Sequence, residues 1–82
     1  LACEIDLGEW ILPPVFRWLA ETANMSEPEL LKTFNCGIGM ILVVAEDRAD
    51  ALTALLQAEG ETVTRLGTIV EGQGVIYRGR LL

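Results

Sequence analysis

Histidine is absent from this chain. With it go the usual general base at neutral pH and the commonest metal ligand. Cysteine is scarce: Cys3 and Cys36 are the only two, too few for a disulfide framework, and a reduced cytoplasmic protein fits better than a secreted one. Positive charge is sparse as well. Six Lys and Arg stand against twelve Asp and Glu, giving a net charge of −6, and the cations are scattered. A polyanion finds no basic stripe here, so nucleic acid and anionic membranes are poor partners. Long hydrophobic runs are missing. The longest, Met40 to Ala45, falls far short of the ~20 residues that cross a bilayer. No Cys or carboxylate cluster has metal-ligand spacing, so neither a metal ligand nor a catalytic residue is assigned within the chain.

What is present is apolar. Of 82 residues, 51% are hydrophobic and the mean hydropathy is positive. One domain is the ceiling at this length, and such a domain removes only about 60 to 65% of its unfolded surface from water. The surplus of apolar side chains points to surface meant for another chain, or for more of the same chain. With no initiating Met and no signal-peptide pattern, residues 1–82 read as a single partial domain of something larger.

Along the chain, Ala2 to Leu7 semi-alternates and predicts a strand with Cys3, Ile5 and Leu7 on one side, closed by Gly8. The run LPPVFRWLAETAN predicts a helix. Pro13 and Pro14 suit its first turn, Leu12, Val15, Phe16, Leu19 and Ala23 make one apolar face, and Asn24 can leave it in a left-handed conformation. Ser26 and Glu29 form a capping-box pattern for a short helix to Lys32 or Thr33, with Leu30, Leu31 and Phe34 facing the core. Met40 to Ala45, apolar throughout, predicts a strand covered on both faces. Asp47 is placed to cap a third helix carrying Ala51, Leu52, Leu55, Leu56 and Ala58 and stopping at Gly60. Thr62 to Val70 predicts a strand that bends or bulges near Gly67. Glu71 to Gly74 (EGQG) reads as a hairpin turn, with Val75 to Arg80 pairing back as an edge strand. The order β-α-α-β-α-β-β places the chain in the α/β (α+β) class with a mixed sheet.

One stretch looks built for more than packing: TFNCGIGM, Thr33 to Met40. Phosphate-binding glycine loops open a helix, so that free N–H groups and the helix dipole meet the anion. Here the glycines follow a helix and precede a strand, and GIG matches neither the dinucleotide fingerprint nor the Walker pattern. The simplest reading is a tight turn at Gly37 and Gly39. The other leaves the loop's N–H groups, or the Asn35 amide, at the edge of a ligand cleft. Cys36 has no neighbouring cation and reads as a small buried hydrophobe rather than a nucleophile. Trp10 and Trp18 read as packing or subunit-contact residues. Glu27, Glu29, Glu46, Asp47 and Asp50 are explained by helix starts, and Arg65, Arg78 and Arg80 by protection of an exposed sheet edge.

The order of these segments carries a resemblance. A Trp followed by LPPVFRWLAETANMSEPELLKTFNCGIGMILVV, and then ALLQAEGETVTRLGTIVEG, resembles the C-terminal end of the aminoimidazole ribonucleotide synthetase family (phosphoribosylformylglycinamidine cyclo-ligase) over nearly the whole chain. The resemblance implies the later half of that family's C-terminal α/β sandwich domain. It also implies a parent ligase of de novo purine biosynthesis, which uses ATP and Mg2+ to convert formylglycinamidine ribonucleotide to aminoimidazole ribonucleotide. In the parent the formyl-derived amide oxygen is activated by phosphorylation and an internal nitrogen attacks, releasing phosphate. Such enzymes are cytoplasmic homodimers whose N-terminal domain carries most of the ATP and metal chemistry. That domain and the glycine-rich start of the C-terminal domain have no counterpart here. The chain is therefore expected to bind neither ATP nor metal alone, and to work only with the remainder of the parent. The matching loop, Asn35 to Met40, is implied to sit near the interdomain groove, with Asn35, Gly37 and Gly39 as its cleft-relevant positions. Two other readings compete. One is a stand-alone small α/β ligand-binding or dimerisation module. The other is a relative with the same architecture, such as a formylglycinamidine synthetase or a selenophosphate, thiamine-phosphate or hydrogenase-maturation enzyme, in which TFNCGIGM is not expected.

Overall fold

The first extended stretch, Ala2–Asp6 (β1), is the middle strand of a three-stranded sheet in the computed structural model, which describes residues 1–82. Gly67–Val70 (β2) pairs antiparallel on one side of it and Gly74–Arg78 (β3) pairs parallel on the other. The α+β class and the mixed sheet are as the sequence reading has them. The hairpin is not. Ala2 stands opposite both Val70 and Gly74, so Glu71–Gln73 arches over the start of β1, crossing two strand spacings or roughly 10 Å. Two left-handed glycines, Gly72 (φ 126°) and Gly74 (φ 81°), make the crossing short.

Gly67 explains where β2 begins. A Cβ at that position would lie 1.7 Å from the carbonyl oxygen of Glu4, so only glycine lets the two backbones meet at this register. The irregularity expected near Gly67 is therefore the strand's start. Thr62–Leu66 stays outside the sheet, apart from one further bond from the Asp6 N–H to the Leu66 carbonyl at 2.7 Å.

Beyond β1 the chain tightens into a 3-10 turn, Leu7–Glu9, where the Asp6 carboxylate accepts from the Gly8 N–H at 2.9 Å and Leu7 is buried. Pro14–Thr22 (α1) starts behind Pro13 and ends before Asn24, whose φ of 53° is the expected left-handed exit. Its inner stripe differs from the expected face. Ala20 is buried and Phe16 and Leu19 are half-buried, whereas Val15 and Ala23 lie in water. The helix is covered along one narrow line, and nothing in the chain packs over its flank at Val15. Glu27–Thr33 (α2) is capped by Ser26, whose Oγ accepts from the Glu29 N–H at 3.4 Å. Leu30 is fully buried, and the Phe34 ring tilts against Phe16 with centroids 5.9 Å apart. Leu7, Leu12, Ala20, Leu30, Cys36 and Leu81 form the core. Leu81 is strapped in place: Glu27 Oε2 accepts from the Leu81 and Leu82 N–H groups, and Arg17 donates to the Leu81 carbonyl at 3.2 Å.

The middle of the chain departs from expectation. Met40–Ala45 is not a strand and is not covered; Met40 is 81% exposed and Val43 71%. No backbone N–H or C=O from Gly39 to Val44 makes a hydrogen bond. Apolar character alone cannot make a strand, which needs a partner edge, and this segment is paired with no strand of its own chain. Asp47 does not cap a helix either. It sits inside a 3-10 turn, Glu46–Arg48, and the helix Ala49–Ala58 (α3) begins behind Arg48 with no side-chain cap. α3 ends as expected at Gly60 (φ 89°), with the Glu61 N–H bonded to the Leu56 carbonyl at 3.1 Å, yet none of its residues is buried. The element order is thus β-α-α-α-β-β. No helix is long and apolar enough to cross a membrane.

Candidate functional site

Register decides which side chains share the sheet face that lines the cleft. Cys3 lies opposite Val75 and Ile5 opposite Tyr77, and residues directly across a ladder point the same way. Facing them are Leu31 and Phe34 from α2 and its exit, and Ile38 and Ile41 from the loop beyond. The gap between the two walls is a cleft of about 300 Å³, at the lower end of the size of small-molecule sites. Of its eleven lining residues ten are hydrophobic, and the exception is Asn35.

The TFNCGIGM loop forms one lip of this cleft. Asn35 Oδ1 accepts from the Gly37 N–H at 3.0 Å, and the Asn35 carbonyl accepts from the Ile38 N–H at 3.0 Å, so one residue closes the turn twice. Cys36 (φ 53°) and Gly37 (φ 94°) are both left-handed, a costly conformation for the cysteine. Its cost is offset by burial: Cys36 is 1% exposed, and its thiol points at the Leu30 and Phe34 carbonyls. Its carbonyl in turn accepts from the Trp10 indole N–H at 3.1 Å, which fixes Trp10 in the cleft lining. Gly37 is also sterically required, since a Cβ there would come within 2.7 Å of the Pro13 ring. Gly39 is different. Its φ is unremarkable, and a Cβ would meet open space.

Of the three positions singled out from the sequence, Asn35 lines the cleft and Gly37 shapes the turn beside it, while Gly39 stands outside both roles. Val75, Tyr77 and Trp10 complete the cleft, and no local sequence signal marks them as a set. The alternation of Cys3 and Ile5 was the only hint, and it needed the β1–β3 register to become a wall.

The chemistry available is limited. Burial, helped by the nearby Glu27 carboxylate, pushes the Cys36 thiol above its ordinary value of 9.0, so this is an inert thiol rather than a nucleophile. No Lys or Arg lines the cleft, and the Gly37 and Ile38 N–H groups are already engaged within the turn. No group of three or more Cys, Asp or Glu side chains is placed to hold a metal ion. The Asn35 amide N–H2 and the Tyr77 hydroxyl are the polar donors left at the cleft. Such a surface is shaped to position and enclose an apolar ligand. Compared with known families, residues 1–79 match the family model described as "AIR synthase related protein, C-terminal domain".

Proposed function

We propose a function on one premise: the chain belongs to the AIR synthase related family, as its C-terminal domain, with the match running from residue 1 to residue 79. Within that superfamily of ATP-using enzymes, we assign it to the aminoimidazole ribonucleotide cyclo-ligases of purine biosynthesis, acting in the cytoplasm. The observation that carries the finer assignment is TFNCGIGM, placed as the lip of the apolar cleft. In this reading the chain's own task is positional. Asn35 presents its amide to substrate, Gly37 allows the lip to turn, and the sheet wall keeps water from one side of the cleft.

The residues present do not fit Mg-ATP. The cleft has no cation, the Gly37 and Ile38 N–H groups are engaged within the turn, and no carboxylate cluster is available to a divalent ion. We therefore route no catalytic step through this chain, and place the nucleotide and metal chemistry in the remainder of the parent enzyme. Calorimetric titration of the 82-residue chain with Mg-ATP is expected to show no binding, and micromolar affinity would overturn this division of labour.

The assignment itself is tested in the enzyme that carries this chain. ATP-dependent conversion of formylglycinamidine ribonucleotide to the imidazole product is expected, with Asn35→Ala raising KM for that substrate more than it lowers stability. Turnover of a different superfamily substrate and none of this one would sink the cyclo-ligase reading. Unchanged kinetics in Asn35→Ala would leave the loop structural. The rival, a stand-alone ligand-binding module, draws on the open cleft; a gene encoding these residues alone would favour it.

A further inference from the structure

Two charged side chains are devoted to one stretch of backbone. Glu27, on the first turn of α2, and Arg17, on α1, form no ion pair with each other or with any other residue. Their side chains bond instead to Leu81 and Leu82. Glu27 Oε2 accepts from both N–H groups, at 3.2 and 3.1 Å, and Arg17 donates to the Leu81 carbonyl. Bonds with one charged partner are roughly twice as strong as neutral ones. Between these two groups the Leu81 side chain enters the core beside Leu7, Leu12, Ala20 and Leu30. A helix start accounts for an acid at position 27, but not for its grip on a segment more than fifty residues away. The gripped residues also lie beyond the family match, which ends at residue 79.

The grip joins the two walls of the cleft. Glu27, Leu31 and Phe34 are spaced i, i+4, i+7 and follow one stripe of α2 and its exit. The first residue of that stripe holds the segment, and the other two line the cleft. From the opposite wall, β3 carries Tyr77 into the lining and ends at Arg78, and Gly79 (φ 78°) turns the chain toward the clamp. Arg78 to Leu81 is three residue steps, a reach of roughly 10 Å at most. No hydrogen bond runs from β1, β2 or β3 to α1 or α2. The polar tie between the sheet and these helices therefore passes through the gripped segment.

We propose that Gly79–Leu82 is a latch: seated between Arg17 and Glu27 it holds the β3 wall against the α2 wall, and its release opens the apolar cleft to a ligand. Arg17 and Glu27 form the catch, and Gly79 is the hinge. The pairing of β3 with β1 ends at Arg78, so release breaks three hydrogen bonds and uncovers one leucine without unzipping the sheet.

Amide hydrogen exchange on the 82-residue chain tests this, together with labelling of Cys3, which lines the cleft, by a disulfide reagent and mass spectrometry. Arg17→Ala is the informative variant, because it leaves the acceptor of both N–H groups in place. The expected result is a loss of about tenfold in Leu81 and Leu82 amide protection, unchanged protection at Cys3–Ile5, and faster labelling of Cys3. Unchanged protection at Leu81 and Leu82 would overturn the clamp. Lost protection there with unchanged labelling of Cys3 would overturn the latch, since the segment would then leave without moving the cleft wall. If Arg17→Ala also loses protection at Cys3–Ile5, Glu27→Gln, which keeps the side chain's length, replaces it with the same expectation. Loss of the sheet in that variant too would overturn the proposal, making the clamp part of the fold rather than a catch.

Discussion

Ala2–Cys36 and Gly39–Leu66 are similar in apolar character and opposite in fate. The first contributes five of the six core residues, Leu7, Leu12, Ala20, Leu30 and Cys36, and the tail residue Leu81 supplies the sixth. The second contributes none, although it holds the most apolar run in the chain and a helix carrying Leu52, Leu55 and Leu56. The difference is one of partners. β1 has a strand on each side, and α1 and α2 share the Phe16–Phe34 contact, while Met40–Val44 pairs with no edge and is left largely uncovered. Apolar side chains stabilise only what can enclose them.

The sharpest way to break this comparison is truncation of one leucine in each region. Leu30→Ala, at a site with no exposure, is expected to cost about 2 to 5 kcal/mol in chemical denaturation. Leu55→Ala, 59% exposed on α3, is expected to change stability by no more than about 0.5 kcal/mol. Equal costs would show that the two regions share one core.

Gly67→Ala comes next, because it asks whether the ordered region depends on the β1–β2 contact. The added methyl must displace the Glu4 backbone, an overpacking expected to cost about 3 kcal/mol. A near-neutral result would mean that β2 is not paired at this register.

The lip of the cleft gives a finer contrast. Gly37→Ala combines a left-handed backbone with the Pro13 ring and is expected to cost about 1 kcal/mol or more. Gly39→Ala, in open space, is expected to be silent in the same denaturation experiment. Reversal of that order would relocate the strained position of the loop.

The smallest effect is a pH dependence. The folded chain holds the Cys36 proton above the thiol's ordinary value of 9.0, so the folded state binds more protons than the unfolded one from there upward. Stability from this source is complete below pH 9.0 and falls as pH rises through the folded value. Cys36→Ser is expected to flatten that alkaline slope, and an unaltered slope would assign it elsewhere. In the native protein the half-buried Cys3 is expected to react with a disulfide reagent before Cys36 does.

What was legible in the sequence was local. Ser26 at its helix start and Asn24 and Gly60 as exits all act through neighbouring backbone, and the structure realises each, while the bend expected at Gly67 is instead where the strand begins. The Asn35–Gly37 turn was visible for the same reason. Pairing was not. EGQG has the chemistry of a hairpin, but the insertion of β1 between β2 and β3 is fixed by residues some seventy positions away. Val75, Tyr77 and Trp10 became cleft walls only through that non-local register. Met40–Ala45 misled for a related reason: its composition says what it would do if covered, and nothing in its own sequence supplies the cover.

Amide hydrogen exchange tests the central claim most directly, because it compares the two regions within one molecule. In a dilute sample, where the chain is monomeric, the amides of Ile41–Val44 are expected to exchange at nearly the rate of an unstructured peptide. Those of Cys3–Ile5 are expected to exchange only through opening of the sheet. Comparable protection of the two segments in that monomer would contradict the account, since it would mean that Met40–Val44 is already paired within its own chain.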